Sequence, residues 1–195
     1  GGLDLLDQKT GPFKHYSHNE NASTSLSHNV VRAIYEDKSG ELWVGTGVFY
    51  EDKNKGGLNR FHRNSGKFTR YMSDPANPQS LSDNRVRSIF EDSQGTFWIG
   101  TNGDGLHTMD RKTGLFTRLT YNPQRPEQLS RPPVKNGLDH ITFITEDADK
   151  KIWIGTWENG LTRYDPLSKQ ITRYITKVDK TGLLKVITPW SAYAT

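Results

Sequence analysis

The chain has 195 residues, a formal charge of +4 and only 32% hydrophobic residues, with eighteen glycines, nine prolines and five tryptophans. That length can bury a core in one domain or in a piece of a larger one, and the glycine-rich, aromatic-rich composition favours many short strands over long helices. The absence of cysteine excludes disulfides, thiol catalysis and cysteine-ligated metals, the basic residues are too scattered for a nucleic-acid face, and no run approaches the ~18 apolar residues of a membrane span.

In chain order, "GGLDLLDQKTGPFKHY" (1–16) reads as two short strands around a tight turn, and it matches "GGLNRFHRNSGKFTRY" (56–71). The chain therefore opens inside a repeat, and any signal peptide or membrane anchor is expected outside it. A complete unit follows three times. Its first strand is typified by "RVRSIFED", where strict alternation puts Val86, Ser88 and Phe90 on one side and Arg87 and Ile89 on the other. Its first turn carries Glu-Asp at 36/37, 91/92 and 146/147, with Gly40 and Gly95 supplying the positive φ and Lys150 standing in the third copy. The second strand is "LWVGT", "FWIGT" or "IWIGT", with Gly45, Gly100 and Gly155 fixed in each. A Gly-Leu strand, a second turn (Gly11, Gly66, Gly114, and Lys169 in the last copy) and a fourth strand complete the unit.

Trp43, Trp98 and Trp153 recur at intervals of 55 residues (98 − 43 and 153 − 98). The Gly-Leu markers at Leu58 and Leu106 are 48 apart (106 − 58), so the basic unit has 48 residues and the excess lies in insertions. One insertion is within "GVFYEDKNKGG" after the first Gly-Thr, and the other surrounds "RPPVKNGLDH". Four-stranded antiparallel units of this length in tandem predict an all-β β-propeller, in which sheets stack around an axis and bury indoles between neighbours. The predicted divisions are a half-blade plus loop over 1–28, blades over 29–83, 84–138 and 139–176, and a further strand or disordered tail over 177–195. That is a partial propeller of about three and a half blades. Trp43, Trp98 and Trp153 are read as inter-blade core, and the Glu-Asp pairs as turn formers in place of paired catalytic acids.

The stretch "LSDNRVRSIFEDSQGTFWIGTNGDGLHTMDRKTG" (81–114) resembles the two-component regulator propeller repeat, N-x-V-x-x-I-x-E-D-x-x-G-x-x-W-I-G-T-x-x-G-L. "LSHNVVRAIYEDKSGELWVGT" is similar, and "GLDHITFITEDADKKIWIGT" departs from it at Lys150. The resemblance implies large propellers in the periplasmic sensor region of hybrid two-component histidine kinases, many of them sensing products of polysaccharide breakdown. It also implies partners missing from these residues: further blades and a membrane-linked signalling module.

Function is expected at the rim, because both insertions fall in connections that emerge on one face of a propeller. Phe49, Tyr50, Glu51 and Asp52 occupy the first insertion; Asn102 and Asp104, and Trp157, Glu158 and Asn159, occupy the matching loops of the next two units; Arg85 and His140 precede inner strands. Aromatic faces beside carboxylates and amides suit an oligosaccharide ligand. The alternatives are a protein-interaction scaffold without a small ligand, or a polysaccharide hydrolase or lyase using Asp104 and Glu158. No catalytic residue, cofactor or metal is assigned: "DKNKGG" opens like a calcium loop, but Arg63 stands where a bidentate Glu is needed, and the six histidines lack ligand spacing. Self-association through exposed strand edges is a further expectation.

Overall fold

A computed structural model describes residues 1–6, 11–103, 105–120, 122, 124, 125, 129, 140–157 and 160–174. All regular structure among them is β: β1 (Leu3–Leu6), β2 (Phe13–Tyr16), β3 (Val31–Glu36), β4 (Leu42–Thr46), β5 (Gly57–His62), β6 (Lys67–Tyr71), β7 (Val86–Glu91), β8 (Phe97–Thr101), β9 (Leu106–Asp110), β10 (Leu115–Arg118), β11 (Ile141–Glu146), β12 (Ile152–Thr156), β13 (Leu161–Tyr164) and β14 (Ile171–Tyr174). These form a two-stranded sheet β1-β2 and three four-stranded antiparallel meanders, β3 to β6, β7 to β10 and β11 to β14. The protein is a partial β-propeller. Residues 177–195, where a further strand or a disordered tail was expected, lie outside the described residues.

The sheets stack because neither face of a four-stranded sheet can be left to water. Val44, Phe61, Phe68 and the loop residue Leu26 fill the seam between the half-sheet and the first full sheet. Trp43, Leu58, Leu81, Val86, Ile89 and Phe97 fill the next, and Trp98, Leu106, Leu129, Ile144 and Ile154 the last. Trp43 lies 5.0 Å from Phe97 of the following sheet, and Trp98 lies 6.3 Å from Tyr164 of the one after. Trp153 stacks instead on Tyr174 within its own sheet.

The Gly of each W-x-G-T phrase has a packing reason. A Cβ at Gly45 would sit 2.8 Å from Val86 Cγ1, and one at Gly100 2.6 Å from Ile141 Cβ, so each glycine admits the first inner-strand residue of the next sheet. At the turns, Gly40 (φ 83°) and Gly95 (φ 86°) are left-handed, and Lys150 adopts φ 62° at the same repeat position.

One expectation fails. Strict alternation along the first strand of a unit is broken by a bulge between Val86 and Ser88, with the same shift at Val31/Ala33 and Ile141/Phe143. Val86 and Ile89, expected on opposite sides, share one seam, while Phe90 packs against the other. The extra residue of a bulge resets which face its neighbours use.

Candidate functional site

The two ends of the stacked sheets are built differently. At the turn end, the second acid of each Glu-Asp pair organises both its turn and its tryptophan. Asp37 Oδ1 accepts the Ser39 and Glu41 N–H groups (3.0 Å each), and its Oδ2 accepts Trp43 Nε1–H at 2.9 Å. Asp92 repeats this with Gln94, Thr96 and Trp98, and Asp147 with Asp149, Lys151 and Trp153. The first acid reaches backwards: Glu91 accepts Lys38 N–H of the preceding sheet, and Glu146 accepts Ser93 N–H. Arg111 joins Asp37 and Glu91 at 2.7 Å each, over the Phe97 ring. Although burial raises it, the hydrogen bonds from Ser39, Trp43, Glu41 and Arg111 prevail and hold the Asp37 carboxyl at about 2. Such fully engaged acids are structural.

Two further repeated positions escaped the sequence reading. Arg70 in β6 donates to the carbonyls of Ser25 (2.7 Å) and Leu26 (2.9 Å), and Arg118 in β10 donates to those of Ser80 (2.8 Å) and Leu81 (3.0 Å). Each clamps the loop whose leucine plugs a seam. The residue after Gly-Leu catches the same loop: Asn59 Oδ1 accepts Ser27 N–H, and His107 Nε2 accepts Ser82 N–H at 3.1 Å while Nδ1–H donates to Gly105 O. Burial pushes the His107 imidazole down to about 4. The signals were present in the repeated "TRY", "TRL" and "TRY" of the fourth strands and in the two "SLS" phrases at 25–27 and 80–82.

The opposite end, the rim, carries the candidate site. The first residue after each Gly-Thr donates its N–H to the carbonyl before an inner strand: Gly47 to Val30, Asn102 to Arg85 and Trp157 to His140. From there the loops diverge. The first insertion folds as a strap across the next sheet: Arg85 Nη1 donates to the carbonyls of Phe49 (2.9 Å) and Glu51 (3.2 Å), Asn84 N–H to Lys53 O, and Asn84 Nδ2 to Asn54 O. Asp83 grips the same Arg85 guanidinium, and this hydrogen bond raises the arginine's already high pKa.

So tethered, the strap carries Phe49 to the third sheet. Its ring centroid lies 4.4 Å from His140, edge-on, and 5.7 Å from Trp157 at an interplanar angle of 35°. Gly103 N–H reaches His140 Nδ1 at 3.3 Å. Three loops thus meet in one aromatic cluster. Tyr50, beside it, is 84% exposed. Glu51 pairs with His28 at 3.3 Å, and Asp52 closes its own turn by accepting Asn54 N–H. Asn102 is fully buried, and neither atom of its side-chain amide has a hydrogen bond among the described residues. Asp104, Glu158 and Asn159 lie outside the described residues. A separate groove of about 600 Å³, lined by Trp98, Thr108, Thr117, Arg118, Tyr164 and Lys169, runs along the side between the second and third sheets and touches none of the rim residues.

The model of the family described as two component regulator propeller matches residues 25–47 and 80–103, each spanning an inner strand, the acidic turn and the tryptophan phrase. The resemblance read from the repeat is therefore shared with that family at two of the three full units. A comparison with curated proteins finds no match. Among solved structures, the extracellular domain of BT4673 from B. thetaiotaomicron, described as a hybrid two component system, is similar with a TM-score of 0.68 at 21% identity, over 97% of this chain and 22% of that one. Virginiamycin B lyase from Staphylococcus aureus is similar with a TM-score of 0.57 at 19% identity, over 92% of this chain and 50% of the lyase. PorZ, a surface component of the type-IX secretion system of Porphyromonas gingivalis, gives 0.55 at 14%, over 88% of this chain and 24% of PorZ. The chain spans about a fifth of the BT4673 domain, and these likenesses concern the fold.

Proposed function

We propose that this chain is the ligand-binding rim segment of an extracytoplasmic sensor propeller in a two-component signalling protein, and that its ligand is a carbohydrate. The observation that carries the reading is the strap: an insertion in one sheet, fastened by Arg85 of the second, delivers Phe49 onto His140 and Trp157 of the third. Such a strap does not serve the sheets, whose repeat closes without it. What it adds is an aromatic surface with an exposed tyrosine beside it, and sugar C–H faces stack on such surfaces while hydroxyls exchange hydrogen bonds with neighbouring amides.

The arrangement also gives binding a mechanical consequence. A ligand held at once by groups from three sheets favours whichever relative setting of those sheets makes all the contacts, and its differential affinity for that setting is the only free energy available to shift it. Further blades and a membrane-linked output module would receive that bias. No reaction is assigned to the chain itself.

The test is a thermal-shift and calorimetric screen of the full chain against oligosaccharides, with product analysis in parallel. Sensor function predicts a rise in melting temperature without turnover, and loss of that rise in Phe49→Ala and Trp157→Ala. Release of cleaved product would replace the sensor reading with an enzymatic one, and a ligand whose binding ignores both substitutions would move the site off the rim.

A further inference from the structure

The bulges of the inner strands fall at one repeat position, and they single out three residues. The ladder to the second strand passes from Val31 to Ala33 in β3, from Val86 to Ser88 in β7 and from Ile141 to Phe143 in β11. A bulged residue is left out of the ladder and out of the alternation that commits its neighbours to one face or the other. The released residues are Arg32, Arg87 and Thr142. Their neighbours are committed: Val31 packs in the first seam, Val86 and Ile89 in the second, and Phe90 in the third.

Each inner strand is the terminal strand of its sheet, bonded on one edge only, and β3 packs against β7 as β7 does against β11. Arg32 and Arg87 therefore come from adjacent strands at the same height. They sit two residues past Val30 and Arg85, whose carbonyls hold the first residues of rim loops. Burial, and next the charge of Arg32, lower the pKa of the Arg87 guanidinium.

Most of the chain's other described arginines have a partner, down to Arg163, whose guanidinium lies over the Trp153 ring. Arg60, Arg63, Arg85 and Arg111 hold carboxylates, and Arg70 and Arg118 hold rows of carbonyls. Neither Arg32 nor Arg87 makes a hydrogen bond or ion pair among the described residues. Arg32 is exposed, whereas Arg87 is half-buried, and a half-buried guanidinium with its donors unmet and a like charge beside it is costly unless something supplies negative charge. At the head of the same strands stands Asn102, fully buried with both amide atoms unmet among the described residues, although its backbone N–H is bonded to Arg85 O. Two planar forks on adjacent strands match the oxygens of a carboxylate or sulfate.

We propose that Arg32 and Arg87 form an anion site on the inner strands near the rim, and that the rim ligand is an acidic saccharide whose carboxylate or sulfate binds this pair. The arginine site stands on the inner strands alone; its assignment to a saccharide rests on the rim reading above. The anion neutralises two clustered charges, and the attached ring is placed towards the Phe49 cluster, which Arg85 fastens two residues from Arg87.

The experiment titrates the full chain calorimetrically with digalacturonate, with its neutral counterpart galactobiose and with inorganic sulfate, at fixed ionic strength, in the wild type, Arg32→Gln, Arg87→Gln and Phe49→Ala. The expected result is digalacturonate binding that weakens about tenfold or more in either arginine variant, corresponding to one lost charge-assisted contact. Galactobiose should bind more weakly, with an affinity that Arg87→Gln leaves unchanged. Arg87→Gln should keep or raise the melting temperature of the free protein, because it removes an unpaired half-buried charge, so lost binding in it reports the site and not unfolding. Equal binding of galactobiose and digalacturonate, insensitive to both arginines, overturns the anion site and leaves the rim reading intact. Sulfate binding that vanishes in Arg87→Gln, with no saccharide bound, supports the arginine site and overturns the rim reading. Failure of both sulfate and digalacturonate to bind the wild type overturns the proposal.

Discussion

The turn end and the rim of this protein are made from the same repeat, yet they spend its residues differently. At the turn end, Asp37, Asp92 and Asp147 make the same set of bonds three times, down to the indole N–H. At the rim, the equivalent first loop residues are Gly47, Asn102 and Trp157, which share one backbone bond and nothing else. A repeated contact in a stack of sheets is a condition of stacking, so every copy must keep it. A position that varies among copies is free of that condition, and it is there that a ligand surface can be built.

The contrast is broken most directly by removing an aspartate. Asp37→Ala leaves the Trp43 indole N–H and the Ser39 and Glu41 amides without their acceptor and strips Arg111 of one of its two carboxylates. The expected cost is about 4 kcal/mol, as for other buried, charge-assisted networks that lose one member. Phe49→Ala should cost about 1 kcal/mol or less, because the half-buried ring closes no seam. Denaturant midpoints of the two variants check the pair of values, and similar losses in both would mean that the strap is scaffold.

Acid sharpens the same comparison within the seams. His107 has its pKa lowered from 6.5 to about 4 by burial. The unfolded chain therefore binds a proton that the folded one refuses, and stability is complete above about pH 6.5 and falls as the pH drops towards 4, by about 3 kcal/mol across the window. Asp37, whose carboxyl is held at about 2, contributes in the same direction only below its ordinary value of 3.8. Asn59 performs the loop-catching task of His107 at the matching position, so His107→Asn should retain the Ser82 bond and flatten stability between pH 6.5 and 4. Urea midpoints measured over that range test it; an unchanged slope would assign the acid sensitivity elsewhere.

A third intervention separates glycines that the sequence presents as equals. Gly100→Ala drives a methyl into Ile141 at its branched Cβ, deep in a seam, and should cost about 2 kcal/mol. Gly155→Ala meets only the ring edge of Phe143 in its own sheet, a side chain that can rotate away, and should cost less. Thermal midpoints of the two variants rank them.

How far the sequence could be read follows from the same logic. Trp43, Trp98 and Trp153 at constant spacing, with an acidic turn before each, are enough to derive four-stranded units and their stacking, because a repeated constraint leaves a repeated residue. The bulges at Arg32 and Arg87 were illegible: a bulge changes hydrogen bonding without changing residue type, so simple alternation placed Val86 and Ile89 apart. Arg70 and Arg118 stand plainly in the fourth strands, but nothing in one strand's sequence says which loop carbonyls a long side chain will reach. At the rim, the insertion could be located from the spacing of Thr46 and Leu58, whereas its course over Arg85 to His140 depends on contacts between units, which no single unit encodes.

The smallest expected effect concerns a place where the repeat itself lapses. Lys150 stands where Gly40 and Gly95 stand, and it holds a φ of 62° that costs an L-residue with a Cβ on the order of 1 kcal/mol. The turn keeps its shape because Asp147 accepts both the Asp149 and Lys151 N–H groups and the Lys150 N–H bonds to Asp147 O, so the geometry is imposed from outside the strained residue. Lys150→Gly relieves the strain but also loosens the unfolded chain, and the two contributions oppose each other. Relief is the larger, since glycine occupies this well freely and the lysine side chain is exposed. The variant should gain about 0.5 kcal/mol in chemical denaturation, while Gly95→Lys in the second unit should lose about 1 kcal/mol. Shifts of opposite sign and about those sizes would show that the two turns are one device; a loss at Lys150 would show that the third unit has adapted to its lysine.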